Sequence, residues 1–427
     1  QQMYDQLRLS GDARKVRLSN LMMTFKKRAT GEVVEGLTLA SDVVDALLEK
    51  VDVLDERQRT ALELKQQYAR SSSSKFANMV ARAQGDGRVR GSYLYLGAAK
   101  TGRYSARGLQ MHNMPRDGVD NVDDYFLDAA PLSLAVLPAL IRPTLYTEGM
   151  FVCSDWAGIE ARALPWLADA RLRNRDIKDL LMLFTEGGDI YVKEAQGIYG
   201  HADINKTERQ IGKVAVLSLG YGGSVGAFNS MAKNYGVHLK EDAIKGIVTA
   251  WREHNSWAAR FWKQLMSAAL SAVEVPDSVH VAGRTSWVME GDVLFCELPS
   301  GRRLAYASPV LEAPDEVWMG TQISCLKGSL KPAAGVDEWP RERLWGGLLA
   351  ENVCQAVCAD ILNDALVRAD AKLAVVGHTH DEIIIECKEE QVSCAQSTLE
   401  SIMLDGPSWA KGLPLAVETW AGNYYRK

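Results

Sequence analysis

No stretch of the 427 residues approaches the length of a membrane-spanning run. The apolar segment Ala129 to Ile141 is short and holds Pro131 and Pro138, whereas a spanning helix needs about 20 apolar residues. No membrane partner is therefore expected. Cysteine is scarce, with seven in the chain. Cys354 and Cys358 stand four apart in a helical pattern, but nothing supplies the further ligands of a structural zinc site. Reduced, mostly buried thiols are expected, as in a cytosolic protein. Internal repeats and low-complexity tracts are absent. The chain also lacks a charged-then-apolar leader and opens on Gln1 rather than Met, the look expected of a piece of something longer.

What is present is an ordinary globular composition, 47% apolar, at a length that suits two or three lobes. The net charge of -5 hides an asymmetry. Residues 1–116 hold 20 Lys and Arg against 12 Asp and Glu, and the remainder 29 against 42. An anionic partner would meet the N-terminal portion first. That portion, to about residue 90, reads as helical: Asp42 to Lys50 behind a Ser41 cap, Leu54 to Tyr68, and Lys75 to Ala83, with a basic knot at Lys26, Lys27 and Arg28. A basic binding lobe and a solvated helical cap both fit these features.

Gly91 to Leu96 reads as a strand. The irregular segment from Thr101 to Arg116 then gathers Arg103, Arg107, Gln110, His112, Asn113 and Arg116. So many donors suit a surface that grips phosphates and groove edges, or a loop held by its own hydrogen bonds. Beyond it, predominantly helical segments are expected from about 166 to 290. Strand character is expected to return at Gly301-Arg302-Arg303-Leu304, followed by an irregular stretch over 306–341. A long helix is expected over Leu348 to Val367, and a closing strand over Leu415 to Trp420.

The chemistry concentrates in three places. Phe151, Cys153 and Asp155 recur at period 2, delivering one carboxylate to a strand end, before Ile159, Leu164 and Leu167 take up helical spacing with Glu160 near the start. Leu373 to Ile385 reads as strand, turn, strand, with His380 and Asp381 at the turn and Glu382 pointing across the pleat as a peripheral carboxylate. Two aspartates on distant strands suit hard divalent cations, such as a pair of Mg²⁺ ions, with the Trp156 carbonyl filling a further position. Each Asp taken singly is better explained as a turn former, and the case rests on the residues around the pair. Third, Arg209, Lys213, Leu217 and Tyr221 are each four apart, which stacks them on one helical face. Its two cations suit nucleotide phosphates, and its apolar and aromatic members suit sugar and base. Solvated charges at this spacing are the plain alternative for the Arg–Lys pair by itself.

These blocks carry a resemblance. Asp155 through Arg162, Arg209 through Gly222, and His380-Asp381-Glu382 resemble, in chain order, the three polymerase motifs of the family A DNA polymerases (the DNA polymerase I family), nearest to the bacteriophage branch. Thr101-Gly102-Arg103 with Asn113 resembles the family's primer–template segment. Glu351-Asn352 and Gln355 resemble its minor-groove and template contacts, and Gly301 to Leu304 and Leu413 to Glu418 fit the same branch. The resemblance implies an α+β right-hand fold, with an antiparallel palm sheet and helical fingers and thumb. It places the thumb at 1–90, the palm at 91–165 and 296–427, and the fingers at 166–295. It implies DNA-directed DNA polymerisation with two Mg²⁺, for which Mn²⁺ could substitute.

By the same resemblance Asp155 and Asp381 hold metal, with Lys213 and Glu382 beside them in the catalytic group. Arg209 and Lys213 bind triphosphate. A buried Glu160, closing with Tyr221 against the sugar, occupies the room a ribose 2′-hydroxyl would need. Arg103, Asn113, Glu351, Asn352, Gln355 and His380 meet primer–template. The partners implied are primer–template DNA, dNTPs, and viral replication proteins or an exonuclease domain upstream, in the cytoplasm of an infected bacterium.

The chain departs from the family pattern in two places. Trp156-Ala157-Gly158 stands where Tyr-Ser-Gln is usual, and Leu217 where Phe or Tyr is usual. No counterpart of the family's proofreading exonuclease is found in these residues. A single-subunit RNA polymerase is the nearest rival enzyme, opposed by Glu160 and by Glu382 after Asp381. A catalytically retired primer–template clamp is the rival outside enzymology, opposed by the presence of both aspartates and Lys213.

Overall fold

The computed structural model describes residues 22–26, 33–37, 44, 47–48, 55–70, 74–115, 118–127, 129–133, 136–170, 173–313, 320–327 and 339–426. Lys27 and Arg28 of the basic knot, and much of the 306–341 stretch, lie outside them. The chain divides into two compact units, Gln1–Ser92, Arg107–Tyr146 and Tyr424–Lys427 in the first, and Tyr93–Ala106 and Thr147–Asn423 in the second.

Among the described residues the first unit begins with an antiparallel strand pair, β1 (Met22–Lys26) and β2 (Val33–Leu37), in the portion expected to be helical. Val33 and Val34 are β-branched and stiff at χ1, which favours extended backbone. Two of the three expected helices follow as α1 (Glu56–Arg70) and α2 (Ser74–Arg82), the first, Asp42 to Lys50, lying mostly outside the described residues. Then come two short helices, α3 (Val122–Phe126) and α4 (Leu137–Leu140). Val44, Leu47 and Leu62 form a small core. Arg142 is buried and donates to the Tyr425 hydroxyl at 2.9 Å and the Pro115 carbonyl at 2.6 Å.

The second unit begins with a two-residue ladder, β3 (Tyr93–Leu94) against β4 (Ser105–Ala106), much shorter than the strand expected over 91–96. Then come β5 (Tyr146–Trp156), α5 (Ile159–Ala168), α6 (Arg175–Thr185), α7 (Ile190–Tyr199), α8 (Lys206–Leu219), α9 (Val225–Asn234), α10 (Glu241–His254) and α11 (Ser256–Glu274). The helical run stops at Glu274, short of the expected 290. From there β6 (His280–Ala282), β7 (Thr285–Glu290), β8 (Val293–Glu297) and β9 (Arg303–Ala307) make an antiparallel meander. Its side chains alternate in burial: Trp287 and Met289, Leu294 and Cys296, Leu304 and Tyr306 all face the core. Gly283 and Gly291 take positive φ at the two tight turns, where a residue without Cβ avoids strain. The 306–341 stretch, expected to be irregular, contributes β10 (Val310–Glu312) and β11 (Gln322–Leu326), which pair with each other, and β11 pairs on its other edge with β12 (Arg341–Leu344).

The long helix expected over 348–367 is α12 (Gly346–Asp370), and it is buried along most of its length. It is followed by β13 (Val375–His378), β14 (Glu382–Cys387), α13 (Val392–Leu404) and β15 (Val417–Tyr424). The sheet that positions the site has the order β13-β14-β5-β15. One continuous core, including Trp156, Trp166, Leu219, Phe261, Trp287 and Val353, joins this sheet to the helices. No helix among the described residues is long and apolar enough to cross a membrane. All seven cysteines are free thiols, and five are buried.

Candidate active site

β5 reaches Asp155 at its inner end, and β14 starts beside it. The two are antiparallel with Glu382 opposite Asp155, Ile383 opposite Ser154 and Ile384 opposite Cys153. One residue beyond that register, the Trp156 N–H donates to the Asp381 carbonyl at 2.9 Å. The sheet thus draws together two aspartates that are 226 residues apart in the chain. Isoleucine at 383, 384 and 385 supplies the β-branched run that makes β14 a buried strand. The turn before it is closed by the Thr379 N–H donating to the Glu382 carbonyl at 2.9 Å, with His380 and Asp381 between them.

Glu382 corrects the sequence expectation. Asp381 lies in the turn outside β14, so strand alternation does not set its direction, whereas the register sets Glu382 across from Asp155, and directly opposed residues share a face. Glu382 is 1% exposed and accepts a hydrogen bond from the Thr379 hydroxyl at 3.4 Å. Glu382 is therefore an interior neighbour of Asp155, not a peripheral group. One carboxylate oxygen on each of Asp155 and Glu382 is sealed from solvent.

α8 begins where local chemistry requires it. Asn205 caps the helix, accepting from the Thr207 and Glu208 N–H groups at 2.9 and 3.0 Å, while Glu208 returns a bond to the Asn205 N–H at 3.0 Å, a reciprocal capping box. Arg209, Lys213 and Leu217 follow on one outward face, and Leu217 is 42% exposed. Tyr221 departs from the expectation of a fourth member on that face. The helix ends at Leu219, and Tyr221 lies in the following turn. From there its hydroxyl donates to Glu160 Oε2 at 2.7 Å. Burial, and then the neighbouring Cys354 and Glu160, hold the Tyr221 pKa well above its usual value, so the hydroxyl keeps its proton.

Glu160 is the hub of this corner. Arg103 pairs with its Oε1 and Tyr221 with its Oε2, and the Cys354 thiol approaches its carbonyl at 3.5 Å. Its side chain keeps 36% exposure, so it is half-buried, not buried as expected. Burial disfavours the Arg103 charge, but the Glu160 carboxylate outweighs it and raises the Arg103 pKa. On α12, Gln355 donates to Glu351 at 3.1 Å. Burial, reinforced by the Glu160 charge, raises the Glu351 pKa. Asn352 turns inward, is 4% exposed and donates to the Tyr306 hydroxyl at 3.3 Å. Asn113 lies in the first unit, in a single turn over Met111–Asn113, where its amide donates to Gln110 at 3.2 Å and its carbonyl accepts from Lys75.

No family model matches the chain. The DNA polymerase of Bacillus phage SP02 is 34% identical to it over 415 residues, which are 92% of this chain and 61% of that protein. The sequence likeness is thus to a phage DNA polymerase, of which this chain spans less than two thirds. A solved structure, the POL domain of Pol1 from M. smegmatis in complex with DNA primer–template and dNTP, superposes with a TM-score of 0.59 at 16% identity. It covers 99% of this chain and 65% of that one, and at this identity it assigns the fold alone, an α+β polymerase-domain architecture.

Sequence reasoning missed several residues around this site. Arg302 lies between the Thr101-Gly102-Arg103 loop and α12. It donates to the Thr101 carbonyl at 2.9 Å and the Ala356 carbonyl at 3.0 Å, and pairs with the buried Asp360 at 2.6 Å. Gly102 has φ of +72°, and a Cβ there would collide with the Arg302 guanidinium. Asp189 caps α7, accepting from the Tyr191 and Val192 N–H groups at 2.8 and 3.3 Å. Its other oxygen accepts from Arg209 at 2.6 Å. Lys213 stands over the Tyr235 ring at 4.8 Å and the Tyr191 ring at 5.8 Å. The capping pattern at Asp189 is legible in sequence, but its pairing with Arg209 has no sequence signal.

Among the described residues no group of three or more His, Cys, Asp or Glu side chains forms a ready-made metal cage. The oxygens near these strand ends belong to Asp155, Glu382, Asp381 and main-chain carbonyls, all of them hard. Such a set fits Mg²⁺, which binds through one or two carboxylates and keeps positions for water and substrate phosphate.

Proposed function

We propose that this chain adds deoxynucleoside monophosphates to a primer 3′-hydroxyl under the direction of a DNA template, with release of pyrophosphate. The chain spans 61% of the length of its phage relative, and the reading is made for the polymerase region. The observation that carries it is the β5–β14 register, which brings Asp155 and Asp381 to adjoining strand ends. Polymerase-domain folds use divalent metal in general. Asp155, Asp381 and the Trp156 carbonyl would hold two Mg²⁺, which supply activation of the attacking hydroxyl and charge stabilisation at the leaving pyrophosphate.

The other residues act by positioning and charge. Arg209 and Lys213 receive the triphosphate from one face of α8, where Arg209 exchanges Asp189 for phosphate oxygens. Lys213, a mobile point charge held over two rings, follows charge as it develops on the transferring group. Leu217 lies under the sugar. Glu160 crowds C2′ and is held in place by Arg103 and Tyr221. Arg103 and Gln355 sense the newly formed pair in the minor groove, where acceptor positions are shared by all four pairs. Glu351, Asn352, His380 and Asn113 are assigned to primer and template, Asn352 through its grip on Tyr306. In this reading 1–90 is thumb, 91–165 and 296–427 palm, and 166–295 fingers, working in an infected bacterial host with viral replication proteins or an exonuclease segment.

Primer extension with labelled deoxy- and ribonucleotides, with and without Mg²⁺, tests the reading. Metal-dependent, template-matched deoxynucleotide addition is expected. Ribonucleotide preference would favour an RNA polymerase, and tight duplex binding without extension a retired clamp.

A further inference from the structure

β13 is the edge strand of the palm-like sheet, and its last residue, His378, opposes Ile383 on β14. The next pair, Thr379 and Glu382, closes the turn with a ladder hydrogen bond. Alternation in an antiparallel ladder therefore turns the N–H and C=O of His378 outward, away from β14. An outward edge normally bonds to water or to another strand. Here one side chain serves both groups. The Tyr93 hydroxyl donates to the His378 carbonyl at 2.9 Å and accepts from the His378 N–H at 3.0 Å. The same ring stacks on the His378 imidazole, with centroids 4.2 Å apart and planes 20° apart. Tyr104 meets that imidazole edge-on at 4.4 Å.

Both tyrosines come from the short β3–β4 hairpin, which also carries Arg103. That hairpin is itself fixed to α12 and β9 by Arg302 through Thr101. Asp381 lies three residues beyond His378, and only the turn separates them. Displacement of the β13 edge would pass directly into the turn and the carboxylate on it. Burial pushes the Tyr93 phenol up to about 12, so the hydroxyl remains a neutral donor and acceptor at any working pH.

We infer that Tyr93 is a positioning residue for the Asp381 turn, its hydroxyl standing in for a neighbouring strand at the two outward main-chain groups of His378. The inference rests on the reading of Asp381 as a metal-holding carboxylate. Tyr93 touches no reacting atom. Its effect is on where Asp381 sits when metal and substrate arrive, so it acts on turnover and metal requirement more than on binding.

The test is Tyr93→Phe in the full chain, which keeps the stacked ring and removes only the hydroxyl. Amide hydrogen exchange of the segment 375–382 should accelerate in the variant while exchange in α8 and α12 stays as in the wild type. In single-turnover extension kcat should fall by about tenfold, the scale of a small misplacement of a reacting group. KM for dNTP and Kd for primer–template should stay within about twofold, and half-saturating Mg²⁺ should rise several-fold. Unchanged exchange, or unchanged kcat and Mg²⁺ requirement, overturns the inference. Loss of the cooperative thermal transition in Tyr93→Phe would make Tyr93 a general stability residue and overturn it equally. If the wild type itself fails to extend a primer, the proposed function falls, and the exchange comparison still decides whether Tyr93 holds the turn.

Discussion

Tyr221 donates its hydroxyl hydrogen to Glu160 across 2.7 Å, joining the turn after α8 to the first turn of α5. Because Arg103 holds the other Glu160 oxygen, this carboxylate is clamped from both sides. A half-buried side chain so held can exclude a substituent at C2′ in a way that a freely rotating one cannot.

Glu160→Ala should therefore admit ribonucleotides. The ratio of ATP to dATP incorporation efficiency is expected to rise by about tenfold or more, the scale of one lost discriminating contact. Tyr221→Phe, which keeps the ring and removes only the bond to Glu160, should shift the ratio in the same direction by less. An unchanged ratio in Glu160→Ala would remove Glu160 from the sugar gate.

Asp381→Asn should lower single-turnover extension by roughly 10³-fold, the scale of removing one preorganised electrostatic contact. Duplex affinity should be largely retained, because it comes from phosphate contacts elsewhere. Asp155→Asn should behave alike. Near-normal turnover in either variant, measured beside primer–template affinity, would defeat the metal assignment.

Glu194, on α7, is 4% exposed and accepts a hydrogen bond from Asn255 at 2.6 Å. Burial raises its pKa from 4.5 to about 7. The folded state thus holds this proton more tightly than the unfolded chain, and the associated stability is lost as pH rises from about 4.5 through 7. Glu194→Gln keeps an acceptor for Asn255 and cannot ionise. It should raise thermal stability at pH 8 by on the order of a few kcal/mol and leave it nearly unchanged at pH 4. Thermal melts at the two pH values check this, and equal shifts at both would show that ionisation of Glu194 is not the cause.

Leu217 concerns the sugar. It is exposed on the face of α8 that carries Arg209 and Lys213, yet it lacks the flat surface of an aromatic ring. Leu217→Tyr should raise dideoxynucleotide acceptance relative to the normal nucleotide by about 1 kcal/mol or more, the scale of one hydrogen bond. The readout is the ratio of incorporation efficiencies for the dideoxy and deoxy forms of one base, since overpacking by the larger ring can slow both. A flat ratio in a folded, active variant would show that Leu217 does not face the sugar.

Local order was legible in the sequence wherever it follows a short period or a cap. The Phe151–Asp155 alternation became β5, the four-residue spacing from Arg209 became the outer face of α8, and Leu348–Val367 became the middle of α12. The β6–β9 meander was equally encoded, in alternating apolar residues between glycine turns, but that signal is easily absorbed into the helical pattern before it. Tyr221 was misplaced because a spacing of four continues on paper past Gly220, whereas the backbone does not.

By itself the sequence determined which segments are strands and helices near the site and which residue types they carry, because propensity, capping and amphipathic period act over a few neighbouring residues. Only the tertiary structure decided that Glu382 faces Asp155, that Arg302 and Asp360 fix the Arg103 loop, that Asp189 holds Arg209, and that Tyr93 grips His378 from 285 residues away. Register follows from which strand edges meet. A bond to a main-chain N–H or C=O leaves no mark in sequence, since every residue but proline carries both groups.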